Sequence, residues 1–245
     1  MKLTQMNKEQ DNNIFNYTKR ISIELSNLCN YASLHKKCPL DYEIDKKILH
    51  KNVVYHVIDQ MYKYNFKGTL AFHTYNEPLI DPRLFMFIQY AKDKCRNNIE
   101  IMIMTNGYYL NQIMIEELEE VGVSSLYVTA YSAKEYERLK NLHTKIPYII
   151  TEGNLDERLN LYEKCVEIEN VNTKPCYAPL NEIIIKSDGT VGLCCLDWKN
   201  KYHFGNLKEN SLDEIIINSN MRDMYYKLAK GIREEAICKV CGWSR

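Results

Sequence analysis

The chain has 245 residues, enough for one large domain, or one domain with a small appendage, and for a real buried core. Lys plus Arg and Asp plus Glu both total 32. The formal charge is therefore zero, and no basic excess exists to attract nucleic acid or an acidic membrane surface. No run of about 18 apolar residues is present, so no membrane span is expected. The opening "MKLTQMNKEQDNNIFNYTKR" has no apolar h-region and no small-residue cleavage site, so a cytoplasmic location is expected.

In chain order, "RISIEL" (20–25) alternates like a strand. Residues 44–64 carry apolar side chains near helical spacing. "GTLAFHTY" (68–75) predicts a strand, and "PRLFMFIQYAKDKC" (82–95) a helix with Pro82 in its first turn. "IEIMIMT" (99–105) predicts a strand, and "NQIMIEELEEVG" (111–122) a helix closed by Gly122. "SSLYVTAY" (124–131) predicts a strand and "SAKEYERLK" (132–140) a short helix. "IPYIIT" (146–151) and "DERLNLYEKC" (156–165) repeat the pair. Repeated strand–helix alternation predicts an α/β fold with a parallel sheet, either curled into a partial barrel or open. In both cases the ligand site lies at the carboxyl ends of the strands. Cys29, Asn76–Glu77, Asn106–Gly107, Tyr131–Ser132 and Glu152 all fall there.

From about residue 170 the alternation stops. "NEIIIKSDGTVGLCCLD" reads as a β-hairpin about an Asp-Gly turn. "SLDEIIINSNMRDMYYKLAK" reads as helical, with Ser211 and Glu214 forming a capping box. "CKVCGW" follows. The expected organisation is a first domain over 1–170 and a smaller one over 171–245.

Nine cysteines in a chain without an export signal point to metal or catalysis rather than disulfides. Cys95 and Cys165 sit in helical patterns and read as ordinary buried residues. Cys176, Cys194, Cys238 and Cys241 make a four-thiolate set, with Cys195 as a spare on the other face of its strand. Four thiolates suit Zn²⁺ or a [4Fe–4S] cluster, and spacing alone does not separate them.

The tail "C-x12-G-x4-C" (Cys176, Gly189, Cys194), then "FGNLKENSLDEI" and a late Cys-x-x-Cys, resembles the auxiliary-cluster tail of radical S-adenosylmethionine (SAM) enzymes. It is similar to the short twitch form with one [4Fe–4S] cluster rather than the longer SPASM form with two. The likeness spans nearly the whole chain and points to aminocyclitol-oxidising members of similar length. It implies a radical SAM-type partial (β/α) barrel over 1–170 and a twitch domain over 171–245, holding the auxiliary cluster on Cys176, Cys194, Cys238 and Cys241.

In such enzymes the first strand runs into Cys-x3-Cys-x2-Cys, whose cluster leaves one iron open for SAM. "YNEP" (Tyr75, Asn76, Glu77, Pro78) stands where the family has Gly-Gly-Glu-Pro, which makes Glu77 the implied partner of the SAM ammonium. Asn106 in "TNG", Thr129 and Ser132 in "TAYS", Glu152 and Arg158 are the further SAM contacts that the resemblance implies. It also implies a small polar substrate and an external electron donor such as flavodoxin or ferredoxin. His73, Tyr75, Tyr131 and Glu152 are candidates to line the substrate pocket. The cluster loop departs from the pattern, reading "C-x5-H-x2-C" over Cys29, His35 and Cys38. Three readings stand open. The three residues hold the cluster; the two cysteines hold it while His35 is a surface residue beside Lys36 and Lys37; or the cluster is lost. Two further functions compete: a degenerate iron–sulfur or zinc module without catalysis, and a peptide-modifying radical SAM enzyme.

Overall fold

The computed structural model describes residues 14–35, 38, 40, 45–153, 165, 168, 170–217 and 219–242. Arg158 and the expected helix over 156–165, apart from Cys165, lie outside the described residues. One mixed α/β sheet of eight strands organises the rest. Its strands are β1 (Arg20–Ile23), β2 (Gly68–Phe72), β3 (Ile99–Thr105), β4 (Ser125–Ala130) and β5 (Tyr148–Glu152), then β6 (Glu182–Ile185), β7 (Thr190–Gly192) and β8 (His203–Asn206). The order is β5-β4-β3-β2-β1-β6-β7-β8, so the sheet is open, with β5 and β8 at its edges. The first six strands pair in parallel. The hairpin β6–β7 and then β8 add antiparallel neighbours. The tail hairpin thus continues the front sheet, because β6 pairs in parallel with β1, Arg20 opposite Glu182.

Helices α1 (Lys51–Lys63), α2 (Leu84–Cys95), α3 (Gln112–Glu120) and α4 (Ala133–Lys140) connect the parallel strands. α1 begins later than periodicity predicts. The His50 ring caps it by accepting from Asn52 N, and Ile48 is held in an isolated bridge to Ser26. Val54, Val57, Ile58 and Met61 of α1, with Leu84, Phe87, Ile88 and Ala91 of α2, share one core with Ile21, Ile23 and Leu25. The alternate positions Arg20, Ser22 and Glu24 therefore turn to the opposite face of the sheet, and that face is polar. The tail adds a short helix α5 (Ala178–Asn181), then α6 (Leu212–Ile217), α7 (Ser219–Ala229) and α8 (Ala236–Val240). The Ser211–Glu214 capping box is formed: Glu214 N donates to Ser211 Oγ, and Ser211 N donates to Glu214 Oε2 at 2.8 Å. Periodicity gives no sign of β8, which is four residues long and contains Gly205.

One glycine fixes how the tail folds back. Gly231, just past α7, has φ +77°, and a Cβ there would lie 2.0 Å from the Thr173 carbonyl oxygen. Gly231→Ala is expected to lower stability by more than the ~1–2 kcal/mol of a left-handed backbone alone, since backbone must also shift. Chemical denaturation of the two proteins side by side checks it.

Candidate active site and metal centres

Glu77 follows β2 and is 2% exposed. Its Oε1 accepts from the Thr105 hydroxyl at 2.6 Å and from Leu79 N at 3.1 Å, capping a single turn at Pro78–Ile80. Its Oε2 accepts from Asn106 N at 2.8 Å. Burial pushes its pKa upward against the pull of those donors. An oxygen with two lone pairs and one donor retains room for a ligand N–H, and Oε2 is that oxygen. Asn76, beside it, accepts from Thr74 N, while its buried Nδ2 has no hydrogen-bond acceptor among the described residues. An acceptor and a donor thus sit side by side, as the ammonium and carboxylate of an amino acid require. These residues fit the methionyl end of SAM.

The cluster loop is tied to the same place. Glu77 N donates to the Leu28 carbonyl at 2.9 Å. The Cys29 sulfur receives Tyr31 N at 3.4 Å and Asn106 Nδ2 at 3.8 Å. Burial is the main cause that raises the Cys29 pKa, with the negative charges of Glu77 and Cys38 adding to it. Cys38 is buried. Two thiols crowded near a carboxylate disfavour two bare thiolates, and a metal centre relieves that cost. His35 is 3% exposed, its ring meeting Tyr131 edge-on at 4.7 Å, with Tyr31 on another side. It is not the surface residue of the second loop reading. Lys36 and Lys37 lie outside the described residues.

The remaining strand-end residues are spread along the edge. Thr129 is half-buried on β4, opposite Thr151. Glu152 ends β5 and is exposed. Ser132 caps α4, its Oγ accepting from Glu135 N at 3.2 Å. Its hydroxyl is already engaged in the fold, and the sequence carried that signal as Ser-x-x-Glu before a helix.

The tail cysteines form a second centre. Cys176, Cys194, Cys238 and Cys241 line one cavity of about 280 Å³, together with Cys195. Burial, then the neighbouring Cys176 and Cys241, push the Cys238 thiol up to about 12. Burial and Cys195 raise Cys194 as well. A zinc ion with Zn–S bonds of about 2.3 Å draws its sulfurs to within about 4 Å of one another. Among the described residues, no three or more His, Cys, Asp and Glu side chains are gathered closely enough to hold one metal ion. A cavity of that size ringed by thiols has room for a four-iron cube. Lys19, Arg20 and Arg233 line the same space and suit an anionic cluster.

Sequence reasoning passed over Arg233. It is 5% exposed and donates to the carbonyls of Lys174 (3.0 and 2.9 Å), Cys238 (2.9 Å) and Cys241 (3.2 Å). One guanidinium thereby joins the Cys-x-x-Cys turn to the segment leading into Cys176.

The two centres are linked across the sheet's polar face. The Tyr75 hydroxyl, one residue before Asn76, donates to the Cys195 carbonyl. Below it, Glu182 accepts from Arg20 Nη2 and from the Ser22 hydroxyl, both at 2.6 Å, with His73 Nε2 at 3.6 Å. Burial alone lifts the Glu182 carboxyl; the nearby His73 and the bonds from Arg20 and Ser22 outweigh it and hold it at about 2, below 4.5. Its stabilisation is then complete above about pH 4.5 and is lost as pH falls through 2, on the order of 3 kcal/mol in all. Glu182→Gln is expected to flatten the acid side of the stability profile across that window, as urea unfolding at a series of pH values would show.

An open α/β sheet with a two-thiol loop and a buried glutamate at its carboxyl edge, followed by a four-thiol tail, resembles the radical SAM fold with an iron–sulfur appendage. Residues 176–242 match the SPASM family, described as an iron-sulfur cluster-binding domain. That name is usual for the two-cluster form, but the matched span holds only Cys176, Cys194, Cys195, Cys238 and Cys241, enough thiolates for one Cys₄ cluster. The S-adenosyl-L-methionine-dependent 2-deoxy-scyllo-inosamine dehydrogenase of Niallia circulans is 24% identical over 232 residues, 90% of this chain and 91% of that protein. The structure of BtrN in complex with AdoMet and 2-DOIA superposes with a TM-score of 0.75 at 21% identity, covering 92% of this chain and 93% of BtrN. That of anSMEcpe with bound AdoMet gives 0.54 at 14% identity, over 92% and 86%.

Proposed function

We propose that this chain is a radical SAM enzyme that dehydrogenates a small polar substrate, assisted by one auxiliary cluster on Cys176, Cys194, Cys238 and Cys241. The observation that carries this reading is the pairing of two centres on one sheet: the Cys29–Cys38–Glu77 edge and the four-thiol cavity, joined through Tyr75 and Cys195. When bound, the front cluster supplies the electron that cleaves SAM, and the resulting 5′-deoxyadenosyl radical takes hydrogen from the substrate. The chain's own residues do the holding. Glu77 Oε2 accepts from the SAM ammonium, and Asn76 Nδ2 donates to its carboxylate. Cys29, Cys38 and His35 ligate the front cluster, while Asn106 Nδ2 and Tyr31 N steady the Cys29 sulfur. Thr129, Glu152 and Arg158 serve the ribose and carboxylate side. An electron carrier such as flavodoxin or ferredoxin reduces the protein in the cytoplasm. No helix among the described residues is long and apolar enough to cross a membrane.

Likeness over nine-tenths of both chains to a 2-deoxy-scyllo-inosamine dehydrogenase supports dehydrogenation, in which a hydroxyl-bearing substrate radical would lose a proton and a second electron, the electron passing to the auxiliary centre. The test is anaerobic reconstitution, assay of iron, sulfide and zinc, then incubation of reduced protein with SAM. About eight irons per chain and release of 5′-deoxyadenosine are expected. Zinc in place of iron in the tail, or no 5′-deoxyadenosine from the reduced protein, overturns the reading.

A further inference from the structure

Between the two centres, the polar face carries a buried cation that nothing above employs. Lys186 follows β6 and is 6% exposed. Its Nζ stands 4.0 Å from Glu24 Oε2 and 4.4 Å from the centre of the Tyr75 ring, yet it donates no hydrogen bond to any described residue. Glu24 is too distant for one, and its oxygens are already taken. They accept from the Thr74 hydroxyl, Tyr75 N, and the N–H and hydroxyl of Ser187.

An acceptor in the same condition lies close by. Asn200 Oδ1, on the loop that follows Cys194 and Cys195, is shielded from solvent and receives no donor among the described residues. A Cβ on Gly192 would stand 3.1 Å from Asn200 Oδ1 and 3.7 Å from Lys186 Cε. Gly192 has no side chain, so the donor and the acceptor flank the same bare stretch of β7.

Leaving a buried ammonium and a buried amide oxygen unsatisfied is costly, so the pair reads as prepared for a ligand group. The chemistry of that group follows from what each side chain lacks. A hydroxyl accepts from the ammonium and donates to the amide oxygen. A protonated amine has only donors and is repelled by Lys186. A carboxylate has only acceptors and would meet both Asn200 Oδ1 and Glu24. We propose that Lys186 and Asn200 form a subsite that holds a hydroxyl, rather than an amine, of a polyol substrate. The proposal rests on the function proposed above and narrows its substrate class. It also places the polyol beside Tyr75, the side chain that joins the two centres.

The experiment is calorimetric titration of the reconstituted full chain, with SAM present, against myo-inositol, D-glucose and 2-deoxy-scyllo-inosamine. At least one of the three, each of which carries ring hydroxyls, is expected to bind. Lys186→Met is expected to weaken that binding about tenfold or more. Asn200→Gly, which accommodates the φ of +52° at that residue, is expected to weaken polyol binding with its melting temperature little changed. It decides the matter should Lys186→Met fail to fold. Binding of none of the three, or unaltered affinity in the folded variants, overturns the proposal. Iron content and 5′-deoxyadenosine release by the unmutated protein are read separately. If they fail while the variants lose polyol affinity, the enzymatic reading falls and the subsite stands; the reverse result removes the subsite alone.

Discussion

Replacing Glu77 with alanine is expected to cost on the order of 3–5 kcal/mol of stability and to abolish SAM binding. The carboxylate satisfies the Thr105 hydroxyl, Leu79 N and Asn106 N in a place that water does not reach. Deleting it strands those donors, at about 1–3 kcal/mol each and not strictly additively. Glu77→Gln is the gentler probe. It keeps the shape but turns an amide NH₂ toward a donor, and it withdraws the negative charge. A stability loss of about 1–3 kcal/mol is expected, with SAM affinity down about 10- to 100-fold. Denaturant unfolding measures the first and calorimetric titration of SAM the second. Unchanged SAM affinity in a folded Glu77→Gln protein would remove Glu77 from the cofactor site.

The second large effect is expected in the tail. Arg233→Met takes away a buried fork of donors that binds the carbonyls of Lys174, Cys238 and Cys241. The carbonyls of Lys174 and Cys238 lose the donors that Arg233 gave them, and the Cys238–Cys241 turn is left with its bonds from Asn172 N to Lys239 and from Asn172 Nδ2 to Cys241. Iron content is expected to fall by about half, with a stability loss of about 3 kcal/mol or more. Release of 5′-deoxyadenosine persists, because the front loop is untouched. Arg233→Lys should recover only part of the loss, since one ammonium cannot span the carbonyls that a planar fork reaches. Full iron content in Arg233→Met would show that the cysteines hold their centre without this brace.

Much of the fold was legible because the strands announce themselves. β3 matches its expected span, Ile99–Thr105, since strict alternation and a flanking Asn-Gly leave little choice. The tail thiols were legible from spacing, because a Cys-x-x-Cys and a hairpin bring sulfurs together by local geometry. Properties created by distant contacts were not legible. His35 lies among lysines in the chain, yet it is buried by Tyr131, which arrives from the far end of β4. Lys186 looks like an ordinary charge beside an Asp-Gly turn. Only the parallel pairing of β6 with β1 sets it against Glu24. Ser132 is the opposite case: its Ser-x-x-Glu signal was local and readable, and it marks the helix cap that the structure shows.

The seating of β1 between β2 and β6 has a consequence for synthesis. Ser22 must meet Ile184, and a ribosome adding about 5–20 residues per second takes roughly 8–30 s to make the intervening chain. For that interval the first strand presents an unpaired flank, the kind of surface that recruits another nascent copy. A fragment ending near residue 170 would keep that flank open for good, and should precipitate where the full-length product stays dissolved.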